Sequence, residues 1–145
     1  MGDVLVTHPE VRGISFTGSN PVGRAIQASA TAHGKKSQLE LGGKNPALVM
    51  ADADLGHAAE QVARGAFLST GQKCTATSRV MVDARVFDEL RDRLVAIANS
   101  WTVGDPLDSS TKIGPLASEA QLTTVTDYLR AGARDGAVAV AGGGG

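Results

Sequence analysis

Aromatic side chains are scarce: three Phe, one Tyr and one Trp make up 3% of the 145 residues. A core without large rings has to come from Ala, Val, Leu and Ile, and an apolar content of 42% supplies enough of them. Cysteine is scarcer still. The single thiol, Cys74, excludes an internal disulfide and fits a reducing compartment. Neither sign of charge is in excess, with 14 Lys and Arg against 15 Asp and Glu. The basic residues form no stripe, so there is no electrostatic case for nucleic acid or an acidic membrane as partner. No apolar run approaches the roughly 20 residues of a membrane span. Met1-Gly2-Asp3-Val4 opens without a basic n-region or an apolar h-region, unlike a signal peptide. Val6 stands where a myristoylation pattern needs Ser or Thr. The expected location is cytoplasmic. His8, His33 and His57 are far apart and lack metal-ligand spacing, so no metal site is expected. Ser-His-Asp hydrolysis finds no G-x-S-x-G support.

What remains is an alternation of strand-like and helix-like segments. Residues 11–17 read as a strand. The turn Gly18-Ser19-Asn20 leads into a helix with Asn20 as N-cap and Pro21 at its first position, running to about His33 with Gly34 beyond it. Residues 38–41 and the apolar run 46–51 read as strands, the latter buried. Asp54 caps a helix to about Leu68, and residues 79–83 form a strand. Phe87, Leu90, Leu94, Ile97 and Trp101 recur at spacings of three and four along an amphipathic helix. Residues 104–115 form a loop. Ser118 and Gln121 make a capping box for a last helix, and residues 138–140 read as a final strand. Strands alternating with helices argue for an α/β fold with parallel pairing.

Three places carry chemistry. Cys74 follows a Gly71-Gln72-Lys73 break between helix and strand, where loops hold exposed functional groups. Lys73 beside it favours the thiolate, which attacks carbonyl carbon and suits covalent catalysis on aldehydes, esters or amides. A lone cysteine can equally be an inert buried thiol. Glu40 ends a strand in which Leu39 and Leu41 face the other side, directly before Gly42-Gly43. It reads either as a solvated carboxylate or, with an apolar pocket to raise its pKa, as a general base. Gly18-Ser19-Asn20-Pro21-Val22-Gly23 joins a strand to a helix N-terminus, a place suited to phosphate. Its spacing is not the G-x-G-x-x-G dinucleotide fingerprint. Lys44, Asn45 and Pro46 read as a turn with a solvated lysine.

Together these segments resemble the aldehyde dehydrogenase superfamily. Phe16-Thr17-Gly18-Ser19 with Gly23, Leu39-Glu40-Leu41-Gly42-Gly43-Lys44-Asn45-Pro46, and Gly71-Gln72-Lys73-Cys74 follow the family's order and spacing. Asp52-Ala53-Asp54-Leu55, Gly104-Asp105-Pro106 and Ile113-Gly114-Pro115 are similar to family segments too. The resemblance covers essentially the whole chain. It implies parts of two Rossmann-like domains: residues 1–41 as the end of the NAD(P)-binding domain, and residues 42–145 as the start of the catalytic domain. It further implies Cys74 as nucleophile and Glu40 as the base that activates the hydrolytic water. Gly18, Ser19, Gly23, Leu41 and Gly42 would lie against the cofactor, NAD or NADP. The substrate would be a small aldehyde or semialdehyde, and the full-length enzyme a homo-oligomer. The tract from Gln72 to Arg79 is similar to that of dehydrogenases acting on 2-oxoglutarate semialdehyde. Family members are several times longer. The oxyanion-hole asparagine and a ribose-binding lysine would precede Met1, and a ribose-orienting glutamate would follow Gly145. The sequence therefore reads as a central piece, inactive alone. The competing readings are a truncated remnant without catalysis and a cysteine hydrolase with a histidine base.

Overall fold

A computed structural model describes residues 2–143. The chain is α/β and divides into two compact units, with the boundary between Gly43 and Lys44.

The first unit contains α1 (Gly2–Thr7), β1 (Gly13–Gly18), α2 (Asn20–Ala32) and β2 (Lys36–Leu41). β1 and β2 pair in parallel from Gly13↔Lys36 to Gly18↔Leu41, with α2 as the crossover helix. The N-cap of α2 is Ser19 rather than Asn20, and it makes no side-chain capping bond. The Asn20 amide instead donates to the Gly42 carbonyl, 3.4 Å away, tying the turn to the end of β2. Gly34 closes the helix in the left-handed region at φ +64°. α2 packs closely because Gly23 is buried: a Cβ there would meet Leu41 Cδ2 at 2.5 Å. The short helix α1 has no counterpart in the sequence pattern. Its C-terminal end is held by Lys35, whose Nζ donates to the Val6 and His8 carbonyls, each at 2.6 Å. A six-residue helix has too few internal bonds to stand alone, so a lysine 29 positions away makes it visible only in three dimensions.

The second unit contains β3 (Asn45–Val49), α3 (Leu55–Phe67), β4 (Thr77–Val82), α4 (Phe87–Ser100) and α5 (Glu119–Arg134). β3 and β4 are parallel. Val49, Ala59 and Leu90 are buried, with Val80, Val82, Leu94 and Ile97 packed around them. The period-3/4 pattern of α4 thus packs against α3 and the sheet. Asp54 caps α3 by accepting from the His57 N–H at 3.0 Å, and Ser118 caps α5 by accepting from Gln121 N–H at 3.2 Å.

Two expectations fail here. The run 46–51 is not a buried strand: β3 ends at Val49, and only one of its faces is covered. On the other face Leu48 is 69% and Met50 60% exposed, beside Met81 across the sheet. An apolar run without alternation signals two-sided burial, and here the second layer is not supplied. Residues 138–140 form no strand either. β-propensity reports a fit to a neighbouring strand, and neither Val138 nor Val140 finds one.

Candidate active site

In the first unit the register brings the candidates to one edge. Thr17 pairs with Glu40 and Gly18 with Leu41, so Gly18, Ser19, Glu40, Leu41 and Gly42 share the C-terminal ends of two parallel strands, ahead of the N-terminus of α2. In α/β folds that is where ligands bind. Gly18, Ser19, Glu40 and Gly42 are exposed, and Leu41 is half-buried. The Ser19 hydroxyl, not engaged in capping, can turn to a ligand, and Gly42 has open space where a Cβ would be. The two bracketing glycines are used differently. The space over Gly18 is taken by the Phe16 ring, whose Cζ would lie 2.5 Å from an added Cβ, and that over Gly23 by Leu41. Both are therefore glycine first for packing. Glu40 has no apolar pocket around it within this unit, because its side chain is exposed.

In the second unit Cys74 is exposed, in a turn between α3 and β4. The approach to it is strained. After α3 the chain makes a short 3₁₀ segment (Leu68–Gly71) in which Ser69 and Thr70 take left-handed φ values of 56° and 55°. Thr is β-branched, and such a conformation costs about 1–3 kcal/mol per residue, so other contacts must hold it. Gln72 supplies several. Its Nε2 donates to Thr70 Oγ1 and to the Ser69 carbonyl, and its Oε1 accepts from the Ala117 N–H at 3.0 Å. Thr70 Oγ1 donates to the Pro115 carbonyl at 3.4 Å. The segment around Ile113-Gly114-Pro115 is thus a brace for the cysteine loop. Gly71 also has a positive φ of 67°, and an added Cβ would meet the Ala66 carbonyl oxygen at 2.9 Å. Gly71→Ala is expected to cost about 1–3 kcal/mol, seen as a lower denaturant midpoint. An unchanged midpoint would show that the loop tolerates relaxation.

Sequence reasoning missed Asn45. Taken as part of a simple turn, it lies at the start of β3. Its side-chain amide donates to the carbonyl of Cys74 at 2.7 Å and to that of Ala76 at 3.2 Å. Lys44 is not merely solvated: its Nζ lies 5.9 Å from the centre of the Tyr128 ring. His8, His33 and His57 are all exposed, and the described residues contain no cluster of His, Cys, Asp and Glu able to hold a metal. No described helix is long and apolar enough to cross a membrane.

Comparison with known proteins matches residues 1–145 to the aldehyde dehydrogenase family. The alpha-ketoglutaric semialdehyde dehydrogenase of Bacillus subtilis (strain 168) is 46% identical over 143 residues, which are 99% of this chain and 29% of that protein. A betaine aldehyde dehydrogenase of Rhizobium etli is also 46% identical, again over 99% of this chain and 29% of its own length. The crystal structure of a mutant aldehyde dehydrogenase C from Pseudomonas syringae, complexed with NAD+ and octanal, superimposes with a TM-score of 0.94. It is 35% identical, over 99% of this chain and 30% of that one. Betaine aldehyde dehydrogenase from Staphylococcus aureus in complex with NAD+ matches with a TM-score of 0.92 at 33% identity, over 98% of this chain and 28% of that one. The chain therefore spans less than a third of the relatives it matches.

Proposed function

The chain belongs to the aldehyde dehydrogenase family, and on that premise we propose that it is the central part of an enzyme oxidising an aldehyde to a carboxylic acid with NAD(P)+. Cys74 is the nucleophile and Glu40 the base. Residues 1–41 close the cofactor domain, and residues 42–145 open the catalytic domain. The observation that carries this reading is the exposed Cys74 in a loop braced from two directions by Asn45 and Gln72. An inert structural thiol is ordinarily buried and needs no such bracing.

The residues of the first unit suit a dinucleotide. An exposed helix N-terminus with an uncommitted Ser19 hydroxyl offers N–H groups and a positive dipole to phosphate. Leu41 ends the neighbouring strand, Gly42 follows it, and both can line the approach to the nicotinamide. Gly18 and Gly23 contribute by letting Phe16 and Leu41 pack beneath that edge. A bound NAD(P)+ supplies the hydride acceptor.

The thiolate of Cys74 adds to the aldehyde carbonyl, and the Cys74 main-chain N–H donates to the oxyanion that forms. Loss of hydride from that carbon leaves Cys74 acylated as a thioester. Glu40 takes a proton from water, the hydroxide equivalent attacks the thioester, and the acid leaves with release of the thiol. The substrate class is an aldehyde or semialdehyde. 2-Oxoglutarate semialdehyde is the first to test, given the tract from Gln72 to Arg79 and the Bacillus relative. The full-length enzyme is read as a cytoplasmic homo-oligomer.

Residues 1–145 alone are expected to be inactive. Among the described residues each sheet has only two strands, and apolar side chains such as Leu48, Met50 and Phe87 are at least half exposed, which invites association rather than stable monomeric folding. The test is nicotinamide reduction with a panel of aldehydes by residues 1–145 and by the full-length protein. Turnover by the full-length protein alone is the expected result. Its absence there supports a remnant without catalysis, and turnover by residues 1–145 would overturn the inactivity of the shorter chain.

A further inference from the structure

One side chain bridges two carbonyls of the cysteine loop. Asn45 begins β3, and its NH₂ group reaches the carbonyls of both Cys74 and Ala76, at 2.7 and 3.2 Å. Two carbonyl partners require the amide nitrogen, because only it carries two donors. Asn45 is itself fixed by β4. The Arg79 guanidinium donates to the Lys44 carbonyl at 2.9 Å, and the Ser78 hydroxyl donates to the Asn45 carbonyl at 3.5 Å. The ladder is irregular at this point: Asn45 pairs with Thr77 but Pro46 with Arg79, so Ser78 is the extra residue. Bulges of this kind re-aim a side chain. Among the described residues the Cys74 main chain is bonded through its carbonyl, while its N–H donates to nothing.

We infer that Asn45 is a positioning residue for the reaction at Cys74: it clamps the Cys74 and Ala76 carbonyls, the peptide planes after Cys74, and with the Ala76 N–H bonded to the Lys73 carbonyl at 3.0 Å this fixes the turn whose 73–74 peptide aims the Cys74 N–H at the developing oxyanion. This rests on Cys74 being the nucleophile. The amide nitrogen of Asn45 is committed to two main-chain carbonyls. It acts through the backbone, so its loss misdirects a donor without removing the thiol. Asp at this position has the same shape but only acceptors facing two carbonyl oxygens. Ala removes the donor without adding charge.

The test uses Asn45→Asp and Asn45→Ala in the full-length enzyme. At saturating aldehyde and NAD+, the single-turnover rate constant for nicotinamide reduction should fall about 10- to 100-fold in both variants. The fraction of active sites, read from the reduction amplitude and from iodoacetamide titration of Cys74, should stay within about twofold of wild type, as should the NAD+ dissociation constant. A merely structural role predicts the reverse, a reduced amplitude with an unchanged rate constant, and that result overturns the inference. So does a rate constant within about threefold of wild type in Asn45→Ala. Should Asn45→Asp fail to fold, Asn45→Ala is decisive alone. A Cys74→Ala control that kept turnover would remove the nucleophile reading itself, an outcome distinct from either result at Asn45.

Discussion

Cys74→Ala in the full-length enzyme is expected to lower aldehyde oxidation by on the order of ten-thousand-fold or more, while NAD(P)+ binds within about twofold of wild type. In the proposed mechanism both halves of the reaction pass through a bond to sulfur. Without it no thiohemiacetal forms and hydride has no carbon to leave from. The cofactor residues proposed here belong to the first unit, with Gly18 ending β1, Ser19 before α2, Leu41 ending β2 and Gly42 following it. Steady-state turnover and cofactor titration by fluorescence quenching check the two statements separately. Near-normal turnover in the variant would contradict the assignment. A loss of cofactor binding equal to the loss of rate would mean that Cys74 acts as a structural residue.

Glu40→Gln is expected to split the two half-reactions. Glutamine has the same shape as glutamate but cannot take a proton from water, and a positioned general base contributes about 100- to 10,000-fold. Steady-state turnover should fall by that factor. In the proposed order hydride transfer precedes the need for the base, so a rapid-mixing experiment should still show a full burst of reduced nicotinamide before the slow phase. Loss of the burst in proportion to turnover would place Glu40 earlier, in activating Cys74. In the first unit Glu40 is exposed.

The local signals in the sequence were sufficient where the determining contacts are local. Asp54 and Ser118 cap the helices that follow them because a cap is an interaction over three residues. The spacing of Leu90, Leu94 and Ile97 found the buried face of α4 because a helix repeats within one turn. Local signals failed where a distant partner decides. Helix α1 depends on Lys35, and the apparent strand at 138–140 has no neighbour. Asn20 fits an N-cap by type, yet its side chain is claimed by the Gly42 carbonyl.

The candidate site divides in the same way. Cys74 and Glu40 stand out as candidates by residue type beside glycine-rich breaks and by the resemblance their motifs carry. Asn45 does not, because its hydrogen bonds depend on a pairing irregularity opposite Ser78 and on two carbonyls 29 and 31 positions away. The glycines 18 and 23 were found but read for ligand approach, whereas the bare backbone is occupied by Phe16 and Leu41. A glycine pattern shows that something comes close without showing what.

The most direct test of covalent catalysis is to catch the acyl group. Full-length Glu40→Gln enzyme, mixed with aldehyde and NAD+ and quenched in acid within the burst, is digested and its peptides are weighed. The account predicts that the peptide containing Cys74 carries the mass of the acyl group, in proportion to the nicotinamide reduced, and that hydroxylamine removes it. A full burst with Cys74 unmodified, or with the acyl group on another residue, would contradict it.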